Sequence, residues 1–213
     1  MKVSMITTIK AATAIAGSLS KPSKMPGHSY GLPAEECQVG ARLRVVEGST
    51  CFFCYAFKGH YSTYRATVKP AQYKRLDAAV NHPDWVDAMV VLVSRSGDTH
   101  FRWHDSGDLQ SVDHLARIVQ VCERTPEVSH WLPTREYRYV LEYLKSHGPF
   151  PENLTVRLSA HMVNKIAPNH GMPTSTVVTD DSYTCPASRQ NNECRDCRAC
   201  WNPNVSNVAY KAH

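Results

Sequence analysis

Seven of the chain's eight cysteines fall into two sets near opposite ends of its 213 residues. The C-terminal set, Cys185-x8-Cys194-x2-Cys197-x2-Cys200, offers four thiols; the N-terminal set, Cys37-x13-Cys51-x2-Cys54, offers three. Four thiolates make a closed site that can hold a metal centre permanently. Three leave one coordination position for a substrate. The C-x2-C-x2-C core from Cys194 to Cys200 has the spacing of a cubane 4Fe–4S cluster, with Cys185 as the fourth ligand. Structural zinc also accepts four cysteines, more often through paired C-x2-C knuckles, and stays the alternative at this site.

A second group of polar residues falls at the ends of expected strands. It comprises His104-Asp105-Ser106-Gly107-Asp108, then Thr134-Arg135-Glu136, then Arg157-Leu158-Ser159-Ala160-His161. Parallel α/β barrels build active sites at the C-terminal ends of strands, so three such signatures in step suggest one shared cleft. Within it His104 beside Asp105 could form a proton-relay pair, with Glu136 a further acid–base group. Asp105, Asp108, Arg135, Glu136 and Arg157 could bind a polar small molecule. Helix N-caps also use Asp, Ser and Thr, which explains single residues but not Arg157 or Arg102-Trp103-His104. Trp103 and Trp131 could stack on a nucleobase, although large aromatics more often pack in a core.

The elements that position these residues follow a strand–helix rhythm. Ser29–Leu32 reads as the first strand, and 70–80 and 83–94 read as helices. His100–His104 is the next strand. Ser111 is a plausible N-cap for a helix whose stripe, Val112, Leu115, Ile118 or Val119 and Cys122, makes Cys122 a core residue. Val128–Leu132 and Leu154–Leu158 are further strands, with a helix over Glu136–His147 between them. Alternation with short loops predicts parallel βα units, hence an α/β fold of partial-barrel type over residues 26–180. Residues 1–25 read as a loosely held arm, and 181–213 as a Cys-rich metal-binding segment.

Composition allows a single core, with 42% hydrophobic and 20% charged residues. No run approaches the ~18 apolar residues of a membrane-spanning helix. The first twenty residues look faintly like a signal peptide, but Lys10 interrupts the apolar stretch, and C-x-x-C pairs favour metal in a reducing cytoplasm over disulfides. A net charge of +5 suits an anionic ligand and leaves nucleic acid open as a partner. The absence of G-x-S-x-G, Walker A and G-x-G-x-x-G motifs argues against hydrolase, nucleotide-triphosphatase and dinucleotide readings.

Cys51-Phe52-Phe53-Cys54, with Cys37 upstream, resembles the motif of radical S-adenosylmethionine (SAM) enzymes, in which an aromatic residue precedes the last of three cysteines. The thirteen-residue first gap is longer than that family's usual spacing. The resemblance implies a partial α/β barrel with an open 4Fe–4S cluster on Cys37, Cys51 and Cys54, and SAM bound to the iron that lacks a thiolate. It further implies that Ser106-Gly107-Asp108 receives the amino group of SAM, although this is not the usual Gly-Gly-Glu, and that Arg157 and Ser159 receive its carboxylate and ribose.

A longer resemblance, over residues 22 to 213, is to the phage gene product 88 family. It rests on SKMPGHSYGLPAEECQVG (23–40), CFFCYAFKGHY (51–61), FRWHDSGDL (101–109), HWLPTREY (130–137), NLTVRLSA (153–160) and CRDCRACWNP (194–203). It implies a phage protein working in the cytoplasm of an infected bacterium. Non-enzymatic readings stand beside the enzyme: a metal-stapled accessory protein that binds host nucleic acid or protein, or an electron-transfer or redox-sensing protein.

Overall fold

The structure, a computed structural model, describes residues 6–212. In chain order it contains α1 (Ile9–Ala16), β1 (Ser29–Tyr30), α2 (Gln38–Leu43), α3 (Gly59–Thr63), α4 (Arg65–Asn81), α5 (Trp85–Ser94) and β2 (His100–Trp103). Then follow α6 (Val112–Glu123), β3 (Ser129–Thr134), α7 (Tyr137–His147), β4 (Leu154–Ser159), β5 (Thr174–Val178) and β6 (Asn207–Lys211). The strands form one sheet in sequential order, and every neighbouring pair is parallel. The fold is therefore the expected α/β architecture, at the level of a six-stranded parallel sheet with helical connections. Among the described residues, no helix is long and apolar enough to cross a membrane.

The helical face of the sheet holds the main core. Leu115, Ile118, Val119 and Cys122 from α6, with Val140 and Tyr143 from α7, pack with Phe101, Trp103, Leu132, Val156 and Leu158 of the strands. Ser111 caps α6, its Oγ accepting from the His114 amide at 3.0 Å, and Cys122 is fully buried, as its place in the apolar stripe predicts. The helix expected from residue 70 begins earlier, at Arg65, and runs through Pro70. Proline forfeits one backbone hydrogen bond there.

Within the arm expected over residues 1–25, the described residues include a packed helix. Residues 1–5 lie outside the described residues, and 9–16 form α1, capped by Thr8 Oγ1 on the Ala11 amide at 3.1 Å. Ala12 and Ala16 are fully buried, and the Tyr30 hydroxyl donates to the Ala16 carbonyl at 2.6 Å. Alanines at this contact let the helix backbone lie close to its neighbours.

The Cys-rich segment contributes a strand to the sheet, and His213 lies outside the described residues. Asn207–Lys211 is β6, in register along β5 from Thr174↔Asn207 to Val178↔Lys211. The stretch before it covers the second face of the sheet, where Trp131, Cys200, Trp201 and Val208 form a smaller core. Thr155 Oγ1 donates to the Trp201 carbonyl at 2.7 Å, and Trp201 Nε1 to the Phe101 carbonyl at 2.9 Å.

Arg157, expected to bind a ligand, is fully buried beneath this segment. One terminal nitrogen donates to the carbonyls of Thr174 and Val205, both at 2.9 Å, and the other to those of Ala199 and Asn202, both at 3.1 Å. The fork therefore ties the Cys-rich segment to β4 and β5 instead of facing a ligand. Arg157→Met would remove four hydrogen bonds to carbonyls at this buried junction and should cost about 3 kcal/mol in urea unfolding. A loss under about 1 kcal/mol would mean that water satisfies them equally well.

Candidate functional site

The C-terminal ends of the strands surround a cavity of about 420 Å³. All three N-terminal cysteines line it, together with His104, Ser106, Gly107 and Asp108 after β2, Arg135 after β3, and Ser159 at the end of β4. Arg102 and Trp131 form part of its floor, and Tyr210 and Lys211 of β6 close one side. Two segments far apart in sequence thus meet over the residues that follow the strands.

The Cys37 loop is fixed from below. The Leu32 amide donates to the Ser106 carbonyl at 2.7 Å, and the Val39 amide to Glu136 Oε1 at 2.7 Å. Tyr139 adds a hydrogen bond to Gln38 Oε1 at 2.6 Å. Glu136, expected as an acid–base group, is buried outside the cavity and serves this loop; burial raises its pKa.

The Cys51–Cys54 loop hangs from the end of β4. Thr50 donates through its amide to the His161 carbonyl and through its hydroxyl to the Ala160 carbonyl, each at 2.9 Å. Arg135 Nε donates to Thr50 Oγ1, also at 2.9 Å. The two loops meet at Gly40, where a methyl group would lie 3.6 Å from Cys37 Sγ, 3.7 Å from Cys51 Sγ and 2.9 Å from Cys37 Cβ. Burial raises the pKa of both thiols; Cys54 and Asp108 push them the same way, and Arg135 opposes.

The turn after β2 is the most constrained part of the wall. His104 sits at φ 54°, a left-handed conformation uncommon outside glycine. Its ring is 3% exposed, and neither ring nitrogen has a hydrogen-bond partner. Burial, with His114 and Arg102 nearby, holds its pKa well below the ordinary value, so the imidazole is neutral. Gly107 has φ 80°, and a Cβ there would meet Leu32 Cβ at 2.6 Å; only glycine lets this turn pass the exit of β1.

Asp108 is buried and accepts from Thr134 Oγ1 at 2.5 Å, the Leu109 amide at 2.8 Å and the Arg135 amide at 2.9 Å. Desolvation raises its pKa against these hydrogen bonds. The expected His104–Asp105 relay does not form. Asp105 Oδ2 instead accepts from the Tyr61 hydroxyl at 2.6 Å, and its carbonyl accepts from the Tyr55 hydroxyl. Ser106 Oγ is buried without a partner on the cavity wall, and Ser159 Oγ shares a hydrogen bond with Ser175 Oγ at 3.1 Å. Trp103 lies in the main core, and one face of Trp131 is covered by the Arg102 guanidinium at 4.6 Å.

The four C-terminal thiols lie on the same face of the sheet. Cys200 packs against Trp131 and Trp201, and its Sγ is 3.1 Å from the Tyr210 hydroxyl. Burial pushes its pKa up to about 11. Cys185 and Cys197 both raise the pKa of Cys194, after burial itself. All eight cysteines are free. Among the described residues, no group of three or more His, Cys, Asp or Glu side chains is arranged to hold a metal ion.

The sequence matches the family described as Gene product 88 over residues 3–203. The chain belongs to that family. Comparisons with curated proteins and with solved structures find no match. The phage gene product 88 resemblance is thus borne out, while the comparisons lend no support to likeness with radical SAM enzymes.

In this gene product 88 protein the sequence reading missed Tyr55, Tyr61 and Tyr210. The first two follow the Cys51–Cys54 motif closely and could have been read as part of it. Tyr210 has a signal only once Asn207–Lys211 is read as a strand. Burial raises the pKa of Cys37, Cys51 and Cys200, so any metal they took up as thiolates would displace protons. If these thiols are ligands, anaerobic iron uptake should strengthen from about pH 7 to about pH 9. Uptake that is flat across this range would mean that these thiols are not the ligands.

Proposed function

We propose that this chain is an iron–sulfur protein with a ligand-binding, radical-SAM-like cavity on a partial α/β barrel. Cys37, Cys51 and Cys54 would hold an open 4Fe–4S cluster, and Cys185, Cys194, Cys197 and Cys200 a second, fully cysteine-ligated one. The observation that carries this reading is the single cavity shared by the three N-terminal thiols and the polar residues after the strands.

The residues fit such a group in two ways. The donors are soft thiols, which suit iron–sulfur centres. Gly40 leaves the space between Cys37 and Cys51 clear of side chain.

When bound, the cluster would supply an electron and an iron site for the amino and carboxylate groups of SAM. The chain's own residues do the remaining work. Ser106 Oγ and the neutral His104 are unpartnered polar groups of the wall, free to hydrogen-bond a ligand. Arg102 and Arg135 favour anionic groups on that ligand, and Asp108 fixes the backbone of Arg135. Arg157 and Glu136 act as positioning residues. Zinc at the C-terminal thiols, stapling the segment that Arg157 already clamps, is the second reading there.

Iron and acid-labile sulfide on anaerobically purified protein test the proposal. The expected result is about eight irons with matching sulfide, falling to about four in Cys51→Ala and in Cys197→Ala. Zinc without sulfide would leave a metal-stapled binding protein. Full iron content in Cys51→Ala would remove the N-terminal cluster from the account.

A further inference from the structure

The loop that carries Cys51 and Cys54 exposes aromatic rings that a solvent-facing loop would ordinarily bury. Phe53 is 68% exposed, Tyr55 51% and Phe52 36%, and Val45, at 83%, stands just upstream. Phe53, Tyr55 and Phe57 line the mouth of the cavity, so the rings gather at its entrance. An apolar patch beside a cavity marks an interaction site, because leaving it in water is unfavourable.

The charges around the rings are mainly positive. From Arg42 to Arg65 the cations are Arg42, Arg44, Lys58 and Arg65, and Glu47 is the single acidic residue. Two of them sit on the rings themselves. Lys58 Nζ lies 4.5 Å from the centre of the Phe53 ring, and the Arg44 guanidinium 4.4 Å from that of Phe57. Arg135 and Lys211 bring further positive charge to the cavity lining. Asp108, the acidic residue in the cavity wall, has its carboxylate occupied by three donors.

Exposed rings interleaved with cations, with little negative charge among them, match one partner chemistry. Bases stack on the rings while phosphates meet the cations. The bases must be unpaired, since a duplex hides their faces. We infer that the rim formed by Arg44, Phe53, Tyr55 and Lys58 binds single-stranded nucleic acid. The cavity, of ordinary small-ligand volume, then lies directly beneath a bound base. This inference goes beyond the cluster proposal and needs no metal.

Fluorescence anisotropy of a labelled oligothymidylate with the full-length protein, with and without anaerobic iron loading, tests it. Binding should be detected, should weaken about tenfold in Phe53→Ala, and should exceed binding of the matching duplex. Lys58→Ala should weaken it and reduce the salt slope by about one. Arg124→Ala, which removes a partner of Asp87 on the helical face, should leave it unchanged. No binding of the oligothymidylate, or equal weakening in all three variants, would overturn the inference; the latter would mean attraction by net charge alone. Tighter duplex binding with no effect of Phe53→Ala would overturn it as well. Oligonucleotide binding by a protein that takes up no iron would leave the rim standing and remove the cluster.

Discussion

A parallel sheet wound steadily in one direction places its crossover helices on one face and must cover the other by different means. In this protein that second face organises everything of interest. Its floor is sealed by the Cys-rich segment, through Trp201 against Trp131 and through Arg157, whose guanidinium meets four carbonyls. Above that floor the face stays open as the cavity, roofed by the loops that carry Cys37, Cys51 and Cys54. The buried Arg157 clamp adds to the β5–β6 ladder and the Trp201 contacts in holding this floor in place.

The two sets of thiols thus have neighbours in common, although they are remote in sequence. Tyr210 marks the boundary, with its hydroxyl at Cys200 and its side chain in the cavity wall. Arg102 stands close by, stacked on Trp131 and donating to the Tyr55 hydroxyl at 3.2 Å. A change in charge at either set of thiols would be felt by these two half-buried residues at once, because partly desolvated surroundings screen less well than water.

Much of this was legible in the sequence. The apolar stripe of α6 fixed both its cap at Ser111 and the burial of Cys122, and the polar signatures after β2 and β3 do border the cavity. What could not be read was which polar residues turn away from it. Glu136 and Arg157 carry the same chemistry as true ligand-binding groups, and only long-range contacts, to Val39 and to the 199–205 stretch, occupy them. Residues 9–16 and 207–211 were misjudged for a related reason. A short alanine-rich helix and a five-residue strand have weak local signals, and each is held by packing against partners distant in sequence.

The position of β6 has a consequence for biosynthesis. As the last strand of the sheet, it supplies the Tyr210 wall, and the segment just before it supplies the floor. A ribosome would therefore release Cys37, Cys51 and Cys54 long before the surfaces that enclose them exist. Until β6 emerges these thiols would stand open to oxidants and stray metals, and the cavity could be completed only once that strand had docked.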